Sequence, residues 1–386
     1  MSESSKIFLH SAFGKSLFAL FQLTLLIACH PVGNRMQENV GETRIVLQPD
    51  YAKGFRIINE NNQDYLEIYD SRKENSLLDK ILLVRSPYAV PETAPASKTI
   101  EIPVKQFITL SATQWGMLLQ LDESDRIAGI SEAPFVREGA MKSMLESGAV
   151  IEVARDGLFH YELLGAFLGA VMLYSPDAAG LPEPIYSLKL IPLPWPDYTE
   201  PHPLGRAEWL RLLGFLTDKQ SYADSIFASI SAQYVKLSEM ANLAISRPKV
   251  FSDKLFAGQW YVPGGKSYIA RIFKDAGAEY VFNDLDATGS VPLDPEAILA
   301  KAAGADYWRI PHAGNIGGYS GLLAENQVYG EFAAFKNRRV IFCNTLESGY
   351  FERGPLEPNL ILADFIAIFH PELLPAHKPR YHFLLQ

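Results

Sequence analysis

The four residues closest to a chemical motif are Gly264, Gly265, Lys266 and Ser267. Their order matches the end of a phosphate-binding loop, but that loop needs a glycine where this chain has Trp260. What remains is a glycine-rich turn into a helix that starts at Tyr268, with Lys266 at its mouth and backbone N–H groups able to meet an anionic group. Trp260 and Tyr261 read as following a strand's end, where open α/β sheets gather ligands. The same rule places Ser111, Thr113, Gln114 and Trp115 on a cleft edge after one strand, and Ser131 and Glu132 after the next. The hydroxyl residues among them suit helix capping equally well. His202, Arg206 and Trp209 cluster where the chain crosses between two halves. Trp308 and Arg309 end another strand, and Tyr350, Phe351 and Arg353 form a loop. Rings with a few cations suit a large, flat, partly anionic ligand, with ring faces giving contact and arginine fixing orientation. For each residue the competing reading is core packing.

Enzyme signatures are missing. There is no G-x-S-x-G elbow, no H-E-x-x-H and no G-x-G-x-x-G after a strand. Asp284 and Asp286 read as a turn. Of the eight histidines, His160, His202 and His312 could converge in space, but none has H-x-H or H-x-x-x-H spacing. With two cysteines, a cysteine-built zinc cluster and a disulfide framework are both excluded. A bare metal ligand, a secreted hydrolase with dispersed catalytic residues and a non-transport lipoprotein stay open as alternatives. The balance of 44 acidic against 35 basic side chains, a formal charge of −9, argues against nucleic acid as a partner.

The first residues read as an address. Lys6 and Lys15 precede an apolar run from Leu17 to Ala28, too short to span a bilayer as a helix and suited to the core of a secretory signal. The run ends Leu26-Ile27-Ala28-Cys29, which resembles the lipobox of bacterial lipoproteins. That resemblance implies a lipid attached at Cys29, removal of residues 1–28, and anchorage outside the cytoplasmic membrane, on its periplasmic side. A signal cut elsewhere is the alternative. Cys343, in the apolar run Val340-Ile341-Phe342-Cys343, reads as a core residue.

The elements that must position the candidate residues follow from periodicity. Residues 29–104 read as a tether and a small set of strands at Phe55–Ile58, Tyr65–Tyr69 and Lys80–Val84. Residues 105–204 alternate strand and helix, with strands at Phe107–Leu110, Ile127–Ile130, Ala170–Tyr174 and Ile185–Pro192 around helices near Trp115 and in 158–169. A proline-rich crossover follows, then linking helices over 205–246, the second of them long. Strands restart at Val250–Phe256, Tyr280–Phe282, Tyr307–Ile310 and Val340–Asn344, with helices at Tyr268–Ala276, Asp294–Ala303 and Leu360–Phe369, so 247–386 forms a second lobe. The fold class is α/β: two Rossmann-like lobes with parallel sheets joined by one long rigid α-helix.

Several stretches, in order, resemble the substrate-binding proteins of ABC importers for iron–siderophore complexes and cobalamin, the class built on a helical backbone. They are FITLSATQWGMLLQL at 107–121, DRIAGIS at 125–131, HPLGRAEW at 202–209, GQWYVPGGKSY at 258–268, DAGAEY at 275–280, YFERG at 350–354 and FHPELL at 369–374. The pattern lapses between Ala133 and Pro184. The resemblance implies two lobes around a rigid helix and a ligand between them. That ligand is an iron–siderophore complex first and cobalamin second, with no covalent cofactor beyond the lipid. It also implies an ABC permease and its ATPase as partners, and no enzymatic activity.

Overall fold

Between Arg44 and Ile102, apolar residues alternate with polar ones and turns intervene, the pattern of strands with one buried face. In the computed structural model these residues form β1 (Arg44–Leu47), β2 (Phe55–Glu60), β3 (Gln63–Tyr69), β4 (Leu77–Arg85) and β5 (Thr99–Ile102). They pair in that order, antiparallel throughout except that β5 runs parallel to β4. The structure describes residues 43–73, 76–85, 98–177 and 180–386, which fall in one unit, Gly41–Gln386. The signal segment, Cys29 and the tether lie outside the described residues. The inner face of the sheet, including Ile57, Leu66, Ile81 and Ile100, shares a core with the lobe that follows.

That lobe is built from short apolar runs buried on both faces, as parallel strands require. Its elements are β6 (Phe107–Thr109), α1 (Ala112–Gln120), β7 (Ile127–Ser131), α2 (Gly139–Glu146), β8 (Ile151–Arg155), β9 (Leu158–Phe159), α3 (Tyr161–Leu164), β10 (Val171–Tyr174), α4 (Glu183–Ser187) and β11 (Ile191–Pro194). The sheet order is β11-β10-β6-β7-β8-β9, parallel except for the β9 hairpin. Two expectations change here. Residues 158–169 hold a hairpin strand and one turn of helix instead of a full helix, and Ile185 sits in α4, with the strand beginning at Ile191.

Next come α5 (Pro203–Leu216) and α6 (Gln220–Ala241). The 22 residues of α6 span about 33 Å. Both helices run between the two cores. Leu204 and Ala207 of α5 pack in the second lobe's core while Trp209, Leu210 and Leu213 pack in the first. On α6, Ala223 belongs to the first core and Phe227, Tyr234 and Ala241 to the second.

The second lobe contains β12 (Lys249–Ser252), β13 (Leu255–Phe256), β14 (Gln259–Pro263), α7 (Tyr268–Asp275), β15 (Glu279–Tyr280), β16 (Ser290–Leu293), α8 (Pro295–Ala302), β17 (Tyr307–His312), α9 (Gly318–Glu325), α10 (Ala333–Lys336), β18 (Val340–Asn344), α11 (Tyr350–Arg353), α12 (Pro358–Phe369) and β19 (Phe383–Leu384). Its main sheet has the order β15-β12-β17-β18-β19, parallel except for β19, and a smaller antiparallel sheet has the order β13-β14-β16. All five residues of β18, Cys343 among them, are buried. The buried Asp364 carboxylate on α12 accepts the backbone N–H groups of Arg380, Tyr381 and His382 at 2.7–2.9 Å, which brings β19 to the sheet edge. The molecule is thus an α/β protein of two lobes with parallel sheets, joined by the long α6 with α5 packed beside it.

Two buried carboxylates on and before α5 hold the β1–β2 connection. Glu208, fully buried, accepts the N–H groups of Asp50 and Tyr51 at 2.7 Å and of Ala52 at 2.8 Å. Glu200 accepts those of Lys53 and Gly54 and the Trp209 indole N–H. Replacing Glu208 with Ala strands these donors, and the expected loss is about 3 kcal/mol or more. A lowered urea midpoint checks this; an unchanged midpoint shows that the connection is held by other contacts.

Candidate ligand-binding cleft

The carboxyl ends of β6 and β7 face those of β17 and β18, and a cavity of about 230 Å³ lies between them. From the first lobe it is lined by Ala112 and Phe135. From the second it is lined by Ala313, after β17, by Thr345 and Leu346, after β18, and by Gly349, Phe351 and Glu352 at α11. The lining is mostly apolar, and Glu352 is its one charged residue. Phe135 and Phe351 are 57% and 56% exposed and present their rings from opposite lobes at the one cavity.

Below this cavity the lobes are stitched together by α1 and α11. Gly116 has no side chain because a Cβ there would collide with the Glu352 carbonyl oxygen. Thr113 Oγ1 donates to the Phe351 carbonyl at 3.1 Å, and the buried Glu352 carboxylate accepts the Arg137 N–H at 2.5 Å. Arg353 pairs with Glu138 across the same seam. Gly349 starts α11 at φ 65°, and a Cβ there would lie 2.9 Å from Glu352 Oε2. His312, at the end of β17, is half-buried, and its pKa is lowered by burial and then by the Lys254 charge, which favours the neutral imidazole.

The structure separates the residues expected at one site. Phe351 lines the cleft and Thr113 lies directly beneath it. Ser111 precedes α1, Ser131 ends β7 and Glu132 follows it, with Glu132 accepting the Asp156 N–H at 2.7 Å. Gln114 is turned inward, its Oε1 accepting the Leu110 N–H, and Trp115 is a core residue. Trp260 is a correction. It lies within β14, not after it, and strand alternation puts its ring inside and Tyr261 outside. Trp260 and Trp308 pack with Phe251, Tyr329 and Phe332, and their indole N–H groups donate to Ser252 and Asp253 carbonyls. Trp308 is likewise core, because β17 is a central strand buried on both faces: Trp308, Arg309 and Ile310 are all buried.

All four expected cations also lie outside the cleft lining. Arg309 is buried, bonded to Ser252 Oγ and His382. Arg206 is buried, paired with Asp197 at 3.1 Å and seated over the Tyr268 ring. Burial works against its charge, but Tyr268 and Asp197 more than offset that and hold its pKa above the ordinary arginine value. Arg353 is committed to Glu138. Tyr350 is buried against Tyr381 and His382. Lys266, paired with Asp286, and Tyr261 lie outside the cleft lining. His202 caps α5 by accepting the Leu204 N–H, and His160, His202 and His312 form no metal-ligand group among the described residues.

Phe135, Ala313, Thr345, Leu346 and Gly349 were not singled out from the sequence. The strand-end rule applied to the second lobe would have found most of them, since Ala313 and Thr345 are the first residues after β17 and β18.

Burial pushes the His202 imidazole down to about 4 from an ordinary 6.5. The unfolded chain therefore binds the proton more readily, and stability falls as pH drops from 6.5 toward 4. His202→Asn keeps the cap acceptor and removes the titration. Its melting temperature is expected to vary less over that window than the parent's; parallel profiles would assign the acid sensitivity elsewhere.

Comparison with known proteins agrees with this geometry. A family model described as periplasmic binding protein matches residues 188–345. An uncharacterized lipoprotein of Methanocaldococcus jannaschii is 26% identical over 371 residues, covering 90% of this chain and 87% of that one. The structure of an ABC-type Fe3+-hydroxamate transport system protein from Saccharomonospora viridis superposes with a TM-score of 0.54 at 17% identity, covering 69% of this chain and 94% of that one. A periplasmic heme binding protein from Pseudomonas aeruginosa gives 0.54 at 15% identity, over 73% and 96% of the two chains. No helix among the described residues is long and apolar enough to cross a membrane.

Proposed function

We propose that this chain is a periplasmic binding protein that captures an iron–siderophore-type chelate between its lobes and delivers it to an ABC permease and its ATPase; the family match over residues 188–345 and the two-lobed fold support that reading. The observation that carries the reading is the cavity at four strand ends, rimmed by Phe135 and Phe351. Affinity comes from covering those rings and the apolar wall, and no cation lines the wall to hold an anionic shell. The ligand that fits is therefore a chelate of low net charge with apolar surface, such as a ferric hydroxamate. Cobalamin, a large and weakly charged macrocycle, is favoured by the same apolar lining as the second reading. The cavity is smaller than such ligands, so the chelate sits across its mouth and the seam at α1 and α11 opens as it enters. The stiff α6 limits that opening to a modest hinge, and the bound form is the one presented to the permease.

The same reading places the protein outside the cytoplasmic membrane, tethered through Cys29. Cys29→Ser is expected to move the protein from the membrane to the soluble fraction, and retention by membranes removes the anchor.

Titration of the protein with ferric hydroxamates and cobalamin, followed by quenching of tryptophan emission, tests the ligand class. Binding weaker than about millimolar for both would falsify the transport reading. Phe351→Ala is expected to weaken the bound chelate by about tenfold, the value of covering roughly half a phenyl ring, while melting is unchanged.

A further inference from the structure

A second cavity, of about 910 Å³, shares no lining residue with the cleft. Its wall comes from the loops of the N-terminal sheet, Pro201 in the crossover, the segment after α6 and the flank of α7. Six cations line it: Lys53, Arg72, Arg247, Lys266, Arg271 and Lys274. Glu279 is the one carboxylate in the lining. Arg72, Lys266 and Arg271 have partners in Asp70, Asp286 and Asp275. Lys53, Arg247 and Lys274 form no ion pair among the described residues. Arg247 only donates to the Asn242 carbonyl, at 3.3 Å.

This arrangement runs against the composition. A chain of net charge −9 has drawn six cations from four separate segments onto one concave surface. Their mutual repulsion is unfavourable in the empty cavity and is relieved by an anion that meets several of them at once. A single carboxylate answers one or two. A phosphate carries close to two charges and three acceptor oxygens, which match arginine's planar fork and lysine's point charge together. The volume accommodates a ligand of the size of a nucleotide or a lipid headgroup.

We infer that this cavity is a second binding site, for a phosphate-bearing polyanion, independent of the chelate cleft. Its walls belong to the N-terminal sheet on one side and the second lobe on the other, so an occupant touches both without meeting a residue of the cleft lining. Two sources share the chemistry: a free phosphorylated compound and the phosphate headgroup of an anionic lipid.

The test is calorimetric titration of the full chain with tripolyphosphate, in the presence of phosphatidylcholine nanodiscs. At about 50 mM salt a saturable, one-to-one isotherm is expected, weakening about tenfold or more at about 300 mM. Arg247→Glu with Lys274→Glu, both exposed and unpaired, is expected to weaken tripolyphosphate at least about tenfold and leave binding of a ferric hydroxamate at the cleft unchanged. Lys142→Glu, an exposed reversal on α2 outside the cavity lining, serves as the control and is expected to leave both unchanged. Replacing phosphatidylcholine with phosphatidylglycerol assigns the source. Competition with tripolyphosphate identifies a lipid headgroup, and an unaltered isotherm identifies a free phosphate compound. Absence of saturable binding at low salt, or equal weakening by Lys142→Glu, overturns the site. Failure of the chelate titration alone leaves it standing.

Discussion

Arg206 is an arginine that has been taken out of water, and Asp197 and the Tyr268 ring meet its charge while its Nε finds no hydrogen-bond partner among the described residues. It sits on α5 where the chain has just crossed between lobes, pairs with the buried Asp197 of that crossover, and lies over the Tyr268 ring that begins α7. Breaking a buried pair by removing one partner leaves an uncompensated charge, a cost of about 3–5 kcal/mol. The crossover, the linking helix and the second lobe's α7 are therefore fixed to one another at a single point. Apolar packing alone would hold these elements less specifically, because Leu204, Ala207 and their neighbours can repack with little directional preference. The pair adds a directional, charged contact to a junction that is otherwise apolar.

From that point the rest follows in order. Glu200 and Glu208 attach the N-terminal sheet to the same helix. The strand ends of both lobes then face one another, and small residues take over where the lobes meet. Gly116 allows α1 to touch α11, and Ala112, Ala313 and Gly349 leave the space between the lobes unfilled. Polar contacts across the seam include Thr113 to the Phe351 carbonyl, Arg137 N–H to Glu352 and Arg353 to Glu138. Binding sites of this kind are made by what the side chains decline to occupy.

The α/β rhythm was legible because parallel strands buried on both faces are short continuous apolar runs. Phe107–Thr109, Ile127–Ser131 and Val340–Asn344 have no other comfortable place to go. The long helix was legible for the same reason of period. The stretch from Ala133 to Pro184 was harder to read, because β8, the β9 hairpin and the single turn of α3 are too short for periodicity to distinguish. The site was read less well than the fold. Large rings and cations draw attention in a sequence, yet Trp260, Trp308 and Arg309 are the residues a core and its buried polar network consume. A cleft wall of alanine, threonine and glycine carries almost no signal of its own. Only position relative to a strand's end marks it.

The strand supplied by Phe383 and Leu384 makes the two lobes unequal in how their sheets are drawn from the chain. The first lobe takes every strand of its two sheets from residues 44–194, one continuous stretch ahead of α5. The second lobe's main sheet is closed beside β18 by residues 383–384, and the Asp364 carboxylate draws its three backbone donors from residues 380–382. The first lobe's sheets are thus independent of residues 380–384, whereas one edge of the second is written in them.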